Sequence, residues 1–497
     1  MANAPKPMFF NVQMRLQKMK EGRPTELVEG RFPILLPHEA FNWLYFHDHK
    51  RFEQVFLGSL SSVAARQAFW QEAERRDDPR LQDHPMIDRA DWQKFAIPLA
   101  VHGDGVPCIK VGKAGTRSLD CFSCCGLAAT GPTLAVKLFL YCMFLHSVVK
   151  EGEDLAIEMD ATTMEQIGNK LLWSFHYLWL GVWPRCSWDD DVPLPQSMQQ
   201  VAGRPLADGL YGVVYTIKCD LDYAAKDLHL QHYNSATPCE ECSARRGIGV
   251  DRSHAFNNFS RTAKWPNEQR SVQQWLALYD GAPKHWLFSL AGVTHHMLNG
   301  DLLHVIYLGV LQYFLGSVLF VLCYVILPGT PRANMLHLWA DITRWYTRLG
   351  VINQYTNLTL NSFTDPQRPH DQFPKLSGKG IESRDLLAPV YHVWKERCPA
   401  NFKQRVDITS ALELLLKAIK ILSDHSDSLY LPLPAAGEFE KSCKSFLLTY
   451  QKLAYNYDAN ADNPYMLWSC PFKFSGSVAR RAQVPHGSPA AQLLLTR

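Results

Sequence analysis

Two aspartates stand where apolar, β-rich segments of the sequence stop. Asp104 follows the run FAIPLAVHG, and Asp220 closes the run GLYGVVYTIKC. A carboxylate at the end of a strand lies on the rim of a sheet, where a divalent cation can reach it. The alternative for the GDG sequence around Asp104 is a tight turn, because Gly and Asp are favoured there. Asp222 competes with Asp220 for the role of second carboxylate.

The segments between the two aspartates predict an α/β core. Strands are expected over residues 95–104, 118–129 and 134–149, a helix over 161–180, and a fourth strand over 209–220. This order is that of a ribonuclease H-like core, in which the first and fourth strands lie side by side. Asp104 and Asp220 would then meet at one edge of the sheet.

Paired carboxylates favour a metal-dependent reaction. Two carboxylates in close contact repel each other and each pKa rises unless a cation neutralises them. Mg²⁺ or Mn²⁺ suits such oxygen ligands, and two ions of this kind can drive phosphodiester displacement. Glu382, in the first turn of an expected helix, is the candidate for a third carboxylate, although the helix dipole alone favours a Glu there. Glu396 and Glu413 are further candidates.

A second possible metal site lies at Cys239 and Cys242 in TPCEECSARR. A C-x-x-C pair can supply two thiolates to one tetrahedral Zn²⁺, which then needs two more ligands. The expected strand around Cys121 and Cys124 would point these two thiols at different faces. The candidates for the missing ligands are Cys121, Cys124, His229, His232, His295 and His296.

Basic residues near these motifs are candidates for phosphate contact, with a solvated charge run as the alternative. The formal net charge of +3 and the pI of about 8.1 are too near neutral to indicate nucleic-acid binding by themselves. The candidates nearest the motifs are Lys110, Lys113, Arg117, Arg245 and Arg246. Those that follow in the chain are Arg252, Arg261, Lys264 and Arg270, with the aromatic Trp265 among them.

The composition, with 47% hydrophobic and 20% charged residues, is that of a globular protein. Thirteen scattered cysteines favour a reducing, intracellular compartment, and we expect no secretory signal. Residues 302–327 contain no Lys, Arg, Asp or Glu, which makes them a candidate membrane span. His304, Gln312 and two glycines in that stretch favour a buried core helix, with a single-pass membrane protein as the alternative.

The predicted division of the chain has five regions. They are an N-terminal helical region over 1–94, the ribonuclease H-like core over 95–260, a helical insertion over 261–375, a C-terminal helical region over 376–470 and a divergent tail over 471–497.

Taken together, these motifs resemble the cut-and-paste DNA transposases of the CACTA type, in the CMC superfamily, which carry an acidic triad called DDE. The resemblance rests on GDGVP at Asp104, the strand ending at Asp220, the C-x-x-C pair and NGDLLHVIYLGV. The chain is also similar to the catalytic core of the V(D)J recombinase. In the transposase family a D-x-x-H motif lies within a long helical insertion, and here it corresponds to Asp301 and His304. The resemblance thus places residues 302–327 in a buried helix of that insertion and argues against a membrane span.

The resemblance implies Mg²⁺-dependent cleavage and strand transfer at transposon ends, zinc at the cysteine pair, a nuclear location and a possible homodimer, with no small-molecule substrate. The family pattern continues with a pair of His and a final catalytic Glu. After Phe474 this chain reads SGSVARRAQVPHGSPAAQLLLTR, which has neither. We therefore expect a C-terminally truncated transposase with weak or absent activity, or an inactive DNA-binding or interaction module on the same fold.

Overall fold

The computed structural model describes residues 8–16, 26–111, 115–143, 163–189, 193–247, 249–281, 283, 285–300, 303–426, 428–458 and 465–469. The chain divides into two compact units. The first contains Met1–Leu230 and Val272–Asn299, and the second contains Gln231–Ser271 and Gly300–Leu495. Residues 231–260, assigned to the core from the sequence, therefore belong to the second unit.

The first unit is built on a five-stranded mixed sheet with the order β5-β4-β3-β6-β7. Strand β3 pairs antiparallel with β4, β4 antiparallel with β5, and β3 parallel with β6. The sequence prediction that the first and fourth strands of the core lie side by side is confirmed by β3 and β6. The strands of this sheet are β3 (Ala96–Val111), β4 (Gly115–Gly126), β5 (Leu138–Met143), β6 (Tyr211–Cys219) and β7 (Leu298–Gly300).

A β-hairpin precedes this sheet, which corrects the prediction that residues 1–94 are all helical. Strands β1 (Met8–Leu16) and β2 (Glu26–Ile34) pair antiparallel along their whole length. In FNVQMRL apolar and polar residues alternate, which is the two-residue period of a strand. The apolar residues after this hairpin recur at helical spacing, and that pattern was extended to the whole N-terminal region.

Helices cover the sheet of the first unit. They are α1 (Pro37–His47), α2 (Val63–Arg75), α3 (Thr163–Leu180) and the short α4 (Leu221–Lys226). The helix expected over residues 161–180 is confirmed by α3. The third predicted strand is shorter than expected, because a helical turn at Thr133–Val136 precedes β5. Residues 144–149 of that prediction lie outside the described residues.

Buried histidines make the first unit sensitive to acid. His38 is fully buried, accepts or donates a 2.6 Å hydrogen bond at Ser174 Oγ, and has its pKa lowered by burial to about 3. Burial likewise lowers the pKa of His84 to about 4 and that of His285 to about 3. An unfolded histidine titrates near pH 6.5, so protons favour the unfolded chain below that pH and the effect saturates near the folded pKa.

We expect the free energy of unfolding to fall by about 1.4 kcal/mol per pH unit below about pH 6.5 for each such histidine. Urea unfolding at pH 7 and pH 5 measures this slope, and His38→Gln should flatten it. The exposed His337, replaced by Gln, is the matched control. Equal changes of slope in both variants would contradict the assignment to burial.

The second unit is mostly helical. Its helices of eight or more residues are α5 (Leu303–Ile326), α6 (Pro331–Leu349), α7 (Gly380–Arg397), α8 (Arg405–Asp424) and α9 (Leu433–Asp458). Within the described part of the chain, α5 is long and apolar enough to cross a membrane, yet 83% of its most apolar window is buried. Phe314 in its centre packs against Phe446, Tyr450 and Trp468. This packing favours the interpretation as a core helix.

Candidate functional site at the edge of the mixed sheet

The strand register brings Asp104 and Asp220 to neighbouring positions. Strands β3 and β6 run parallel, and their last registered pair is His102 with Lys218. Each aspartate lies two residues beyond that pair, Asp104 within β3 and Asp220 directly after the end of β6 at Cys219. Asp104 is exposed and Asp220 is half-buried. The two aspartates thus lie on neighbouring chains, at the level where β6 ends and β3 continues.

Both aspartates belong to the face of the sheet that points away from the main apolar core of this unit. Val101 and Ile217 are a registered pair, and both are buried in that core. Because successive residues of a strand point to opposite faces, His102 and Lys218, the next pair, point to the other side. Asp104, two residues further along β3, shares that side, and Asp220 follows directly after β6.

The GDG sequence is not a turn, and β3 does not end at Asp104. Strand β3 continues to Val111 by pairing with β4, and Asp104 lies opposite Cys121. The glycine before it has a packing role: a Cβ atom at Gly103 would lie 2.2 Å from the ring of Tyr223. Gly103 is therefore required by a close contact within the sheet, not by turn geometry.

Asp220 has a second role in the local fold. It follows β6 and caps α4, where its Oδ1 accepts a 2.6 Å hydrogen bond from the backbone N–H of Tyr223. Its competitor Asp222 forms a 2.7 Å ion pair with Lys226 one turn along the same helix. Asp220 follows directly after β6, whereas Asp222 lies within α4 and is paired with Lys226. Asp220 is therefore the better placed candidate for the second carboxylate.

Two lysines that the sequence analysis did not single out lie near the aspartates. Burial lowers the pKa of Lys137, while the nearby Cys125, Asp104 and Cys121 act in the opposite direction. Burial raises the pKa of the Cys125 thiol, and the positive charges of Lys218 and Lys137 oppose that rise. The face that carries the two carboxylates thus also carries two amino groups. Lys218 could have been found by its two-residue spacing from Asp220.

The fallback acids lie in the second unit and have local partners. Glu382 Oε2 accepts a 2.9 Å hydrogen bond from the backbone N–H of Lys379 at the start of α7. Glu396 forms a 2.6 Å ion pair with Arg344, and the carboxylate of Glu413 accepts a 2.8 Å hydrogen bond from a tyrosine hydroxyl. Glu382 therefore binds the backbone at the start of α7, which is the alternative to a catalytic role that the sequence analysis gave for it.

Cys239 and Cys242 form a compact knuckle in the second unit. Both are buried, their sulfur atoms lie 3.0 Å apart, and the backbone N–H of Cys242 donates to Cys239 Sγ over 3.2 Å. Two thiolates on one zinc lie about 3.8 Å apart for bonds of about 2.3 Å in a tetrahedron. Within the described ranges no group of three or more His, Cys, Asp and Glu could hold a metal ion. Zinc at this pair stays a prediction.

The remaining zinc candidates have other settings. Cys121 lies on the same side of β4 as Asp104, whereas Cys124 is buried in the apolar core, as alternation predicted. His295 is buried and stacks on Trp275, with a ring distance of 5.1 Å.

The other predicted positions are only partly described. His304 is half-buried near the start of α5, while Asp301 and Lys113 lie outside the described residues. Lys110 and Arg117 belong to β3 and β4, and no side-chain placement is described for them. Among the basic candidates in the second unit, Arg270 is half-buried and the others are exposed, namely Arg245, Arg246, Arg252, Arg261 and Lys264.

Trp265 is not an exposed aromatic for stacking on bases. It is 1% exposed, packs in the apolar core of the second unit, and its indole N–H donates a 3.0 Å hydrogen bond to Asn258 O. Its burial comes from residues distant in sequence, which the local basic pattern did not indicate.

Comparison of the chain with protein-family models and with curated proteins finds no match.

Proposed function

We propose that the first unit is a divalent-metal-dependent phosphodiester-cleaving core of the ribonuclease H-like type, similar to that of CACTA-type transposases. The observation that carries the proposal is the parallel pairing of β3 and β6, whose last registered pair, His102 with Lys218, stands two residues before each aspartate. The strand order, with the parallel pair at the centre and β4 and β5 antiparallel on one side, supports it.

The donor set at this edge fits Mg²⁺ or Mn²⁺. Both ions prefer carboxylate oxygens and keep several waters, so one or two carboxylates together with substrate oxygens are a usual set. Asp220 presents a carboxylate whose orientation is fixed by its hydrogen bond to the start of α4. When bound, the ion would activate the attacking oxygen and stabilise the leaving one.

Lys137 and Lys218 give the same face an affinity for phosphate. Ammonium groups near a carboxylate pair keep the net charge of the site low, and they contact the phosphate groups of a DNA backbone without reading its sequence. Lys137 lies in electrostatic range of Asp104. In this proposal the aspartates bind the metal and the lysines hold the strand. Transposon ends as substrate, a homodimer and the nucleus follow only from the resemblance.

The second candidate function is a DNA-binding or interaction module that keeps the fold without the chemistry. It is favoured by the capping role of Asp220, which accounts for that carboxylate without a metal. The exposed Arg245 and Arg246 of the second unit would then be the phosphate contacts. A membrane role through α5 is not proposed, since that helix is mostly buried.

Metal binding separates the two candidates. We expect the full chain to bind Mn²⁺ in calorimetric titration and Asp220→Asn to weaken binding by about tenfold or more. Asn is as good an N-cap as Asp, so this variant removes the charge and keeps α4. Asp222→Asn, which loses only the ion pair to Lys226, is the matched control and should bind as the wild type does. DNA binding that persists in EDTA, with no Mn²⁺ binding, would instead favour the module without chemistry.

A further inference from the structure

A row of three residues crosses the sheet of the first unit at the level of Asp104. Asp104 of β3 lies opposite Cys121 of β4, and Cys121 lies opposite Cys142 of β5. Directly opposed residues of antiparallel strands carry their side chains on the same face. The row therefore runs from Asp104 through Cys121 to Cys142.

We propose that Cys121 and Cys142 are an oxidisable thiol pair that closes to a cross-strand disulfide and weakens metal binding at the neighbouring carboxylates. The second half of this statement rests on the proposed function. The thiol pair itself does not.

The geometry suits a disulfide. Opposed residues of an antiparallel pair have Cα atoms about 4.5 or 5.5 Å apart, and disulfides form at Cα distances of about 4.4 to 6.8 Å. Neither cysteine is in a disulfide, and Cys142 is exposed while Cys121 is buried. Cys142 is thus the thiol that an oxidant reaches, and Cys121 is the partner that resolves it.

The chemistry balances with hydrogen peroxide as oxidant. The Cys142 sulfur attacks one peroxide oxygen and the O–O bond breaks. Cys142 becomes a sulfenic acid, and the other peroxide oxygen is released as water. The Cys121 sulfur then attacks the Cys142 sulfur, the S–O bond breaks, and a second water leaves. The two thiols lose two electrons and two protons in total, and one peroxide becomes two waters. A thiol reductant reverses the bond.

Closure acts on the site through β4. The disulfide draws the Cys121 side chain towards β5, and Cys121 is the cross-strand neighbour of Asp104. A metal site needs its ligands within about 0.5 Å of the binding geometry. Because Asp104 is paired with Cys121, a displacement of β4 carries Asp104 away from its position relative to Asp220 and lowers the affinity for the ion.

Peptide mapping of the full chain tests the thiol pair. After peroxide treatment, alkylation and digestion, mass spectrometry should find a cross-linked peptide pair with the loss of two hydrogen atoms, and dithiothreitol should remove it. The cross-link should vanish in Cys121→Ser and Cys142→Ser. It should persist in Cys125→Ser, the matched control on the same face of β4. Its absence from the wild type, or its loss in Cys125→Ser, would overturn the pair.

Mn²⁺ titration of the reduced and oxidised chain tests the consequence. We expect about tenfold weaker binding after oxidation in the wild type and no change in Cys142→Ser. A cross-link with unchanged affinity would overturn the regulatory half. A cross-link in a chain that binds no Mn²⁺ even when reduced would support the thiol pair and contradict the proposed function, so the two failures are distinct.

Discussion

Replacing Asp104 by Asn is expected to abolish Mg²⁺- or Mn²⁺-dependent nicking of supercoiled DNA by this chain. The substitution keeps the size of the side chain and its place in β3, but it removes one of the two negative charges at the sheet edge. Loss of a metal ligand removes several kcal/mol of transition-state stabilisation, which lowers the rate by a factor of about 10³ at least. The readout is the conversion of supercoiled to open-circular plasmid.

The control for this variant is Asp91→Asn. Asp91 is an exposed aspartate of the same unit, paired with Lys94 at 2.7 Å in a left-handed backbone conformation that Asn also accepts. It should nick as the wild type does. Nicking that persists in Asp104→Asn would show that the pair is not the catalytic site. A wild-type chain that binds DNA and never nicks would leave the module without chemistry as the function.

The sequence allowed the central strand pairing to be predicted, because the strands themselves depend on local patterns. The run before Asp104 and the run before Asp220 are mostly apolar, as strands of a largely buried sheet are. Helix α3 also followed from its own periodicity. These elements lie side by side because of the order of the strands in the sheet, and only a few strand orders are compatible with the connection rules.

The parts that the sequence did not show depend on contacts between distant residues. Lys137 comes near Asp104 only because β5 pairs with β4, and the burial of Trp265 depends on the folded core of the second unit. The interpretation of GDG as a turn was wrong for the same reason. Glycine was read as a local conformational signal, whereas Gly103 makes room for the ring of Tyr223.

That contact gives the second large effect, which we expect from Gly103→Ala. The added Cβ would lie 2.2 Å from the Tyr223 ring, which is buried and hydrogen-bonded through its hydroxyl to Tyr141. Overpacking of this kind costs about 1 to 3 kcal/mol. Because the backbone N–H of Tyr223 holds Asp220 Oδ1, a displaced ring moves the start of α4 and the second carboxylate with it. We expect both urea stability and Mn²⁺ affinity to fall.

A compensating substitution separates this local mechanism from general destabilisation. Tyr223→Leu removes the far atoms of the ring, so the double variant Gly103→Ala with Tyr223→Leu should lose less stability than the two single losses added together, as residues in contact do. Gly437→Ala is the matched control, since a Cβ there meets nothing within 4 Å and Ala is favoured over Gly inside a helix. Additive losses in the double variant, or unchanged Mn²⁺ affinity in Gly103→Ala, would mean that Tyr223 does not couple Gly103 to Asp220. The carboxylate pair would then be positioned by the strands alone.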